Sequence, residues 1–316
     1  MNNKASYIMI VIMVIFLFFG IGIYGYLSDG KKQESYHVSV IMESNNAEYW
    51  SVLKQGIESG AKECKIKVNF VTVSSKDSTS ECLNAIQREI QNGADGLILN
   101  LDNRSHLVKK LDEVIMNTQT VLVESEIPLS KEYSYITPDN FRMGEDLGKI
   151  ISLKCKNGKK AGIIVGNKKK TSDVERKNGI LKAMSEKNVR WILEMEDEVT
   201  VEQLKEKYKA QPVDYLVGVN NIVTEKLVDA FKEELEHPKI YGIGNTEKIV
   251  YYMDKGLVDT IVTPNEYVMG YTSIKTMYTR LDYGSANKKK DIDYLVVNQK
   301  NLYNSENQIF MFPMIQ

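Results

Sequence analysis

Few residues in this 316-residue chain are spaced for covalent chemistry. Ser51-Val52-Leu53-Lys54 has the S-x-x-K spacing of serine acylases, but the partner motifs are absent. The histidines, His37, His106 and His237, are scattered without metal-ligand spacing. Gly20-Ile21-Gly22-Ile23-Tyr24-Gly25 fits G-x-G-x-x-G, yet it lies in an apolar run and opens no βαβ unit. No serine–histidine or cysteine–histidine constellation is legible, so no cofactor, metal or nucleophile is expected. A carboxylate pair for glycoside hydrolysis stays open, since such pairs meet only in the fold. The informative pattern is a faint repeat. Gly93-Ala94-Asp95-Gly96-Leu97-Ile98-Leu99-Asn100 is similar to Gln211-Pro212-Val213-Asp214-Tyr215-Leu216-Val217-Gly218-Val219-Asn220. In each, an Asp opens a buried strand and an Asn stands at its carboxyl end. Parallel sheets bind ligands at those ends. Two such edges facing each other would make a cleft between lobes.

The elements that must hold these residues alternate in kind. Val38–Met42, Val68–Val73, Leu97–Leu101 and Val121–Val123 read as strands. Between them, Glu48–Glu63, Ser80–Gln91 and Leu107–Met116 have helical spacing. The rhythm restarts after Asp139, with a helix over Phe141–Leu153 capped by Asp139 or Asn140. Strands Ala161–Val165, Trp191–Glu194, Tyr215–Val219, Lys239–Ile243 and Thr260–Thr263 follow. They alternate with helices Val174–Glu186, Val201–Tyr208, Val223–Glu234 and Glu247–Asp254, and a last helix covers about Tyr267–Leu281. The tail from Asp293 reads as strands and turns, after a solvated loop marked by Lys288–Lys290. This is the βαβα pattern of parallel sheets covered by helices on both faces.

Composition bounds the function. With 41 basic and 42 acidic residues the net charge is −1, which argues against a nucleic-acid partner. Cys64, Cys82 and Cys155 are an odd number at wide spacing, so buried or free thiols are expected, with a Cys64–Cys82 bridge the alternative. Tyr7–Leu27 carries no charge over 21 residues, enough at about 1.5 Å per residue to cross a hydrocarbon core of roughly 30 Å. No convincing cleavage site follows it, so residues 1–32 read as an uncleaved transmembrane helix and signal anchor, with a cleaved signal as the alternative. Flanking lysines do not decide orientation. A short head with a long body favours an extracytoplasmic body.

Several further blocks occur in order: Asn45-Asn46-Ala47-Glu48-Tyr49-Trp50 with Gly56, Asn92–Ile98, Pro138-Asp139-Asn140 with Met143-Gly144, Glu175-Arg176 with Gly179, Asn220-Asn221, and Met269-Gly270-Tyr271. With these blocks the chain resembles the type 1 periplasmic sugar-binding proteins of the ribose-binding-protein kind, across residues 37–316. The resemblance implies a two-lobed α/β fold, each lobe a parallel sheet flanked by helices, closing on a small ligand. The lobes would comprise 37–137 plus about 265–292, and 138–264 plus about 293–316. It implies an extracytoplasmic substrate-binding protein for a sugar or related polar ligand, serving an ABC permease or docking on a sensor kinase ectodomain. Turnover of ligand would instead mark an enzyme, and no response to any sugar a scaffold.

The resemblance also implies ligand contacts. Tyr49 and Trp50 would stack on a sugar's C–H face. Arg176 would donate a fork of hydrogen bonds, Asn220 would both donate and accept, and Asn100, Asp102, Glu124 and Ser125 would supply acceptors. Asn265 would sit at the return crossover. Gly242-Ile243-Gly244 lacks the family's ligand carboxylate, for which Asn245 would substitute, and Asn221 replaces an Asp. These losses, with Lys168-Lys169-Lys170 in a loop bordering the cleft, raise the expectation of a negatively charged ligand.

Overall fold

Aliphatic runs with every residue buried, such as Gly96–Asn100 and Ala161–Val165, form the central strands, as sequences covered on both faces must. The structure is a computed structural model that describes residues 12–15, 17–19, 35–43, 50–74, 79–156, 158–184, 186–195 and 199–311. In the first half, His37–Glu43 (β1), Ser51–Cys64 (α1), Lys67–Val73 (β2), Thr79–Gln91 (α2), Gly96–Asn100 (β3), Ser105–Val114 (α3), Gln119–Val123 (β4) and Ser134–Pro138 (β5) follow in order. Then come Asn140–Lys154 (α4), Ala161–Val165 (β6), Thr171–Ala183 (α5), Val189–Glu194 (β7), Val201–Ala210 (α6), Tyr215–Gly218 (β8), Asn221–Phe231 (α7), Lys239–Ile243 (β9), Glu247–Asp254 (α8) and Val258–Pro264 (β10). The chain ends with Glu266–Tyr283 (α9), Lys289–Ile292 (β11), Tyr294–Asn298 (β12) and Ser305–Met311 (α10).

Among the described residues the strands form two six-stranded sheets, ordered β11-β5-β4-β3-β1-β2 and β12-β10-β9-β8-β6-β7. The first is parallel throughout. In the second, β12 is antiparallel to β10, unlike the wholly parallel sheet expected. The direction follows from the crossing. β10 runs up to Pro264 and out of its lobe, whereas β12 enters one residue after β11 and must run the opposite way. The chain thus passes between lobes at Pro138, at Pro264 and at Asp293. Alternation along each strand feeds both faces: Ile164 belongs to one apolar cluster, and Ile163 and Val165 to another. The expected internal repeat has a structural basis. The Asp95 carboxylate accepts the backbone N–H of His37, and Asp214 accepts that of Lys160, so each pins the start of the neighbouring strand.

Several expectations need correction. The segment Ser134–Pro138 is a buried strand that hydrophobic pattern missed, because its Ser and Thr are polar. Lys289–Ile292 is an edge strand on β5, not a loop; its lysines suit an exposed edge. The tail adds a helix, α10. Of Tyr7–Leu27, residues 12–15 and 17–19 are helical and exposed, and the rest of the expected anchor lies outside the described residues. Among the described residues no helix is long and apolar enough to cross a membrane. The three cysteines are free thiols, as expected from the sequence.

Glycines set the helix pairs. A Cβ on Gly144 would stand 2.0 Å from the Arg176 carbonyl, and one on Gly179 2.0 Å from that of Phe141, so α4 and α5 touch backbone to backbone. In the other lobe Gly56 would meet the Tyr267 carbonyl at 2.0 Å and Gly270 that of Leu53 at 2.1 Å, which joins α1 to α9 in the same way. These are the glycines of the sequence blocks quoted above.

Candidate functional site

The carboxyl ends of both sheets meet at one polar cleft. On the first lobe, β1 ends in Glu43, β3 leads to Asn100 and Asp102, and β4 leads to Glu124 and Ser125. On the second, β6 is followed by Asn167–Lys170 and α5 carries Ser172, Asp173 and Arg176. Asn220 caps α7 by accepting the N–H of Val223 at 2.9 Å, and its Nδ2 donates to Asp173 at 2.6 Å.

Arg176 is the centre. It is 2 % exposed. Nε donates to Asn140 Oδ1 at 2.8 Å, Nη1 to the Val219 carbonyl at 3.3 Å, and Nη2 to Glu124 Oε1 at 3.1 Å. Asp173 Oδ1 lies 3.8 Å from Nη1. Glu124 also accepts from Asn100 Nδ2 at 2.9 Å. Its backbone has φ 64°, the left-handed region, which costs a side-chain-bearing residue energy. Its carbonyl is held there by the Tyr135 hydroxyl at 2.7 Å, Thr137 at 3.1 Å and Asn140 at 3.4 Å.

Burial would raise the Glu124 pKa, but Arg176, Lys170 and the hydrogen bonds from Asn100 and Arg176 outweigh it and hold the carboxyl below its ordinary value. Burial wins at Asp173, pushed up to about 7 despite Arg176 and Lys170. Glu266, at the start of α9, is also raised to about 7 by burial and then by the charge of Glu124. Glu43 is raised by burial and by Asp102, against its bonds to Asp102 N–H and Arg104.

The lobes touch directly across this cleft. Asn167 Nδ2 donates to Asp102 Oδ2 at 2.6 Å, and the Ser125 and Ser172 hydroxyls lie 2.8 Å apart. The Thr171 hydroxyl accepts from Glu126 N–H at 2.7 Å, and Asn103 N–H donates to the Lys169 carbonyl at 2.9 Å. Lys170 Nζ stands 5.4 Å from the centroid of the Trp50 ring. This is a closed arrangement.

Buried polar atoms at this cleft without a hydrogen-bond partner among the described residues include Trp50 Nε1, Asn100 Oδ1 and Asp102 Oδ1. Buried polar atoms are rarely left so, because each forfeits its hydration. Such a mixture of donor and acceptors suits a ligand that presents hydroxyl groups.

The structure thus brings together Trp50, Asn100, Asp102, Glu124, Ser125, Arg176 and Asn220. Tyr49 lies outside the described residues. Asn245 and Asn265 make bonds of other kinds. Asn245 donates its backbone N–H to Asn221 Oδ1 at 2.9 Å and its Nδ2 to the Phe310 carbonyl at 3.2 Å. Asn265 caps α9 by accepting from Val268 N–H at 3.0 Å. Sequence reasoning missed Glu43, Arg104, Asn140, Asn167, Asp173 and Glu266 as site residues. Glu43 had a legible signal, a carboxylate ending an apolar strand. Asn167 and Glu266 had none beyond their place after a strand.

The sequence profile of the family described as periplasmic binding protein domain matches residues 38–286. No curated protein sequence matches. Among solved structures, GanP, a glucose-galactose binding protein from Geobacillus stearothermophilus, is 22% identical with a TM-score of 0.74, covering 85% of this chain and 99% of its own. A carbohydrate transporter solute binding protein from Agrobacterium radiobacter, in complex with D-arabinose, is 16% identical with a TM-score of 0.81, covering 88% and 99%. The XylFII-LytSN complex contains a chain 19% identical with a TM-score of 0.73, covering 84% and 98%. At these identities the likeness is one of fold.

Proposed function

Because the chain belongs to the periplasmic binding protein family, we propose that it captures a sugar or related polyol between its two lobes and acts by closing on it, without turning it over. The observation that carries this reading is the set of unpartnered buried atoms on Trp50, Asn100 and Asp102. A polyol offers O–H groups to the two acceptors and a hydroxyl or ring oxygen to the indole N–H. The ring of Trp50 gives the apolar surface that a sugar's C–H face needs. Arg176 positions Glu124 and Asn140 under the ligand. The solved relatives described with glucose-galactose or D-arabinose support the same ligand class.

The output is delivery to an ABC permease, with residues 1–32 tethering the body to the outer face of the membrane. A second output, docking on a membrane sensor, is favoured by one observation: a chain of the same fold occurs in the XylFII-LytSN complex.

A thermal-shift screen of neutral sugars tests the binding reading. Ligand at 100 times its Kd adds about 2.7 kcal/mol to stability. The hit is then titrated by fluorescence in a Trp191→Phe background, which leaves Trp50 as the reporter of the two tryptophans. Asn100→Ala and Asp102→Ala should each weaken the hit at least tenfold. Full affinity in both variants, or no hit in the screen, refutes the site.

A further inference from the structure

We propose that the chain self-associates through β7, with a second copy adding its own β7 antiparallel across a two-fold axis beside Ile192. β7 is an edge of the second sheet. It pairs with β6 on one side and has no strand on the other among the described residues. An edge strand turns alternate N–H and C=O groups outward, where another strand can bond them. Proteins commonly guard such an edge with charge. β11, an edge of the first sheet, is guarded in this way, since Lys289, Lys290 and Asp291 are exposed along it. The middle of β7 instead carries Ile192, 39 % exposed.

Alternation puts Arg190, Ile192 and Glu194 on one face, while Trp191 and Leu193 turn to the apolar cluster on the other. Along the first face the order is cation, aliphatic, anion, and it matches itself when reversed. Antiparallel pairing centred on Ile192 sets that residue against the partner's Ile192 and Arg190 against the partner's Glu194. The two-fold axis repeats the ion pair. Parallel pairing in register would instead set like charges opposite each other, which is unfavourable. Arg190 is exposed. Glu194 accepts from Lys177 through Oε1 at 2.6 Å and is still 39 % exposed, and a carboxylate has acceptor sites on both oxygens. The apolar surface is also wider than one side chain. Leu181 and Met184, at the end of α5, and Val189 line a groove together with Ile192. A strand edge with a groove beside it offers the breadth that a specific interface needs. The charge order along β7 is what selects a second copy as the occupant.

The test is sedimentation of the full chain in density-matched detergent micelles, over concentrations up to about 0.3 mM. The wild type should pass reversibly from monomer to dimer. Arg190→Glu and Glu194→Arg should each weaken the dimer about tenfold, because the axis places each like-charge pair twice. The double variant restores opposite charges and should recover most of the affinity. Ile192→Lys should abolish the dimer. The ligand-free Tm checks each fold, since Glu194→Arg also releases Lys177. If that variant fails to fold, Arg190→Glu and Ile192→Lys still decide the outcome. A chain that stays monomeric at the highest concentration overturns the inference. So does a dimer that neither Arg190→Glu nor Ile192→Lys weakens, which is then held by another surface. Single variants that weaken the dimer without recovery in a folded double variant refute the antiparallel register. Sugar titration reads the cleft separately, so this inference and the ligand reading stand or fall independently.

Discussion

Arg176 is fixed by four oxygens from both lobes, which makes it a structural residue as much as a ligand-site residue. Arg176→Ala leaves Glu124 and Asp173 buried without their cation. It should cost about 3–5 kcal/mol in urea unfolding, and Arg176→Lys should rescue little, because a single ammonium cannot reproduce the fork. The carboxylates around it also predict a pH dependence. Asp173 and Glu266 are raised to about 7 in the folded protein, above unfolded values of about 4. The native state therefore binds more protons between those values. Stability from these groups is full below the unfolded value and is lost as pH rises through the folded one. Glu124 has the opposite sign: its lowered pKa gives stability present above the unfolded value and lost as pH falls. From about pH 5 to pH 8 the urea midpoint should fall, and Asp173→Asn should flatten that slope. An unchanged slope in Asp173→Asn would assign the effect elsewhere.

Elements place these residues through the two glycine-lined helix contacts. Because the clash of Gly144→Ala is with the carbonyl of Arg176, α5 must move away from α4 and take Arg176 with it. The variant should lose about 1–3 kcal/mol of stability and bind ligand several-fold more weakly, measured by urea unfolding and titration of the same sample. Gly56 and Gly270 do the equivalent for α1, whose first turn follows Trp50. This explains why Gly56, Met143-Gly144, Gly179 and Met269-Gly270 could be recognised in the sequence: each marks a backbone contact that admits no side chain. Element positions were legible for the same kind of reason. A buried strand must be apolar and a covering helix must be amphipathic. β5 and β11 escaped because Thr137 satisfies its hydroxyl locally, donating to Glu124 and Pro138 carbonyls, and because the lysines of β11 face solvent on an edge.

At the scale of the molecule, the bonds from Asn167, Ser172, Thr171 and Lys169 to the first lobe exist only when the lobes are closed. Removing one lowers the closed population without touching ligand. Asn167→Ala should therefore raise the Kd several-fold and enlarge the ligand-free radius of gyration in solution scattering, while saturating ligand restores the compact value. A ligand that binds without reducing that radius would separate binding from closure.

The sequence by itself determined the alternation of strands and helices and the paired Asp95 and Asp214 that start equivalent strands, whereas the cleft residues were implied by the family resemblance. Alternation and strand starts depend on local periodicity and on strand-end position, which a chain carries wherever it is read. Tertiary structure decided the rest. It bonded Asn245 to Asn221 and Phe310, made Asn265 the cap of α9, reversed β12, and gathered Glu43, Asn167, Asp173 and Glu266 from separate segments around the cleft. Charge balance at a site is a sum over groups distant in sequence, and only folding brings them close enough to feel one another. The cleft that looked depleted of acids along the chain is rich in them in space.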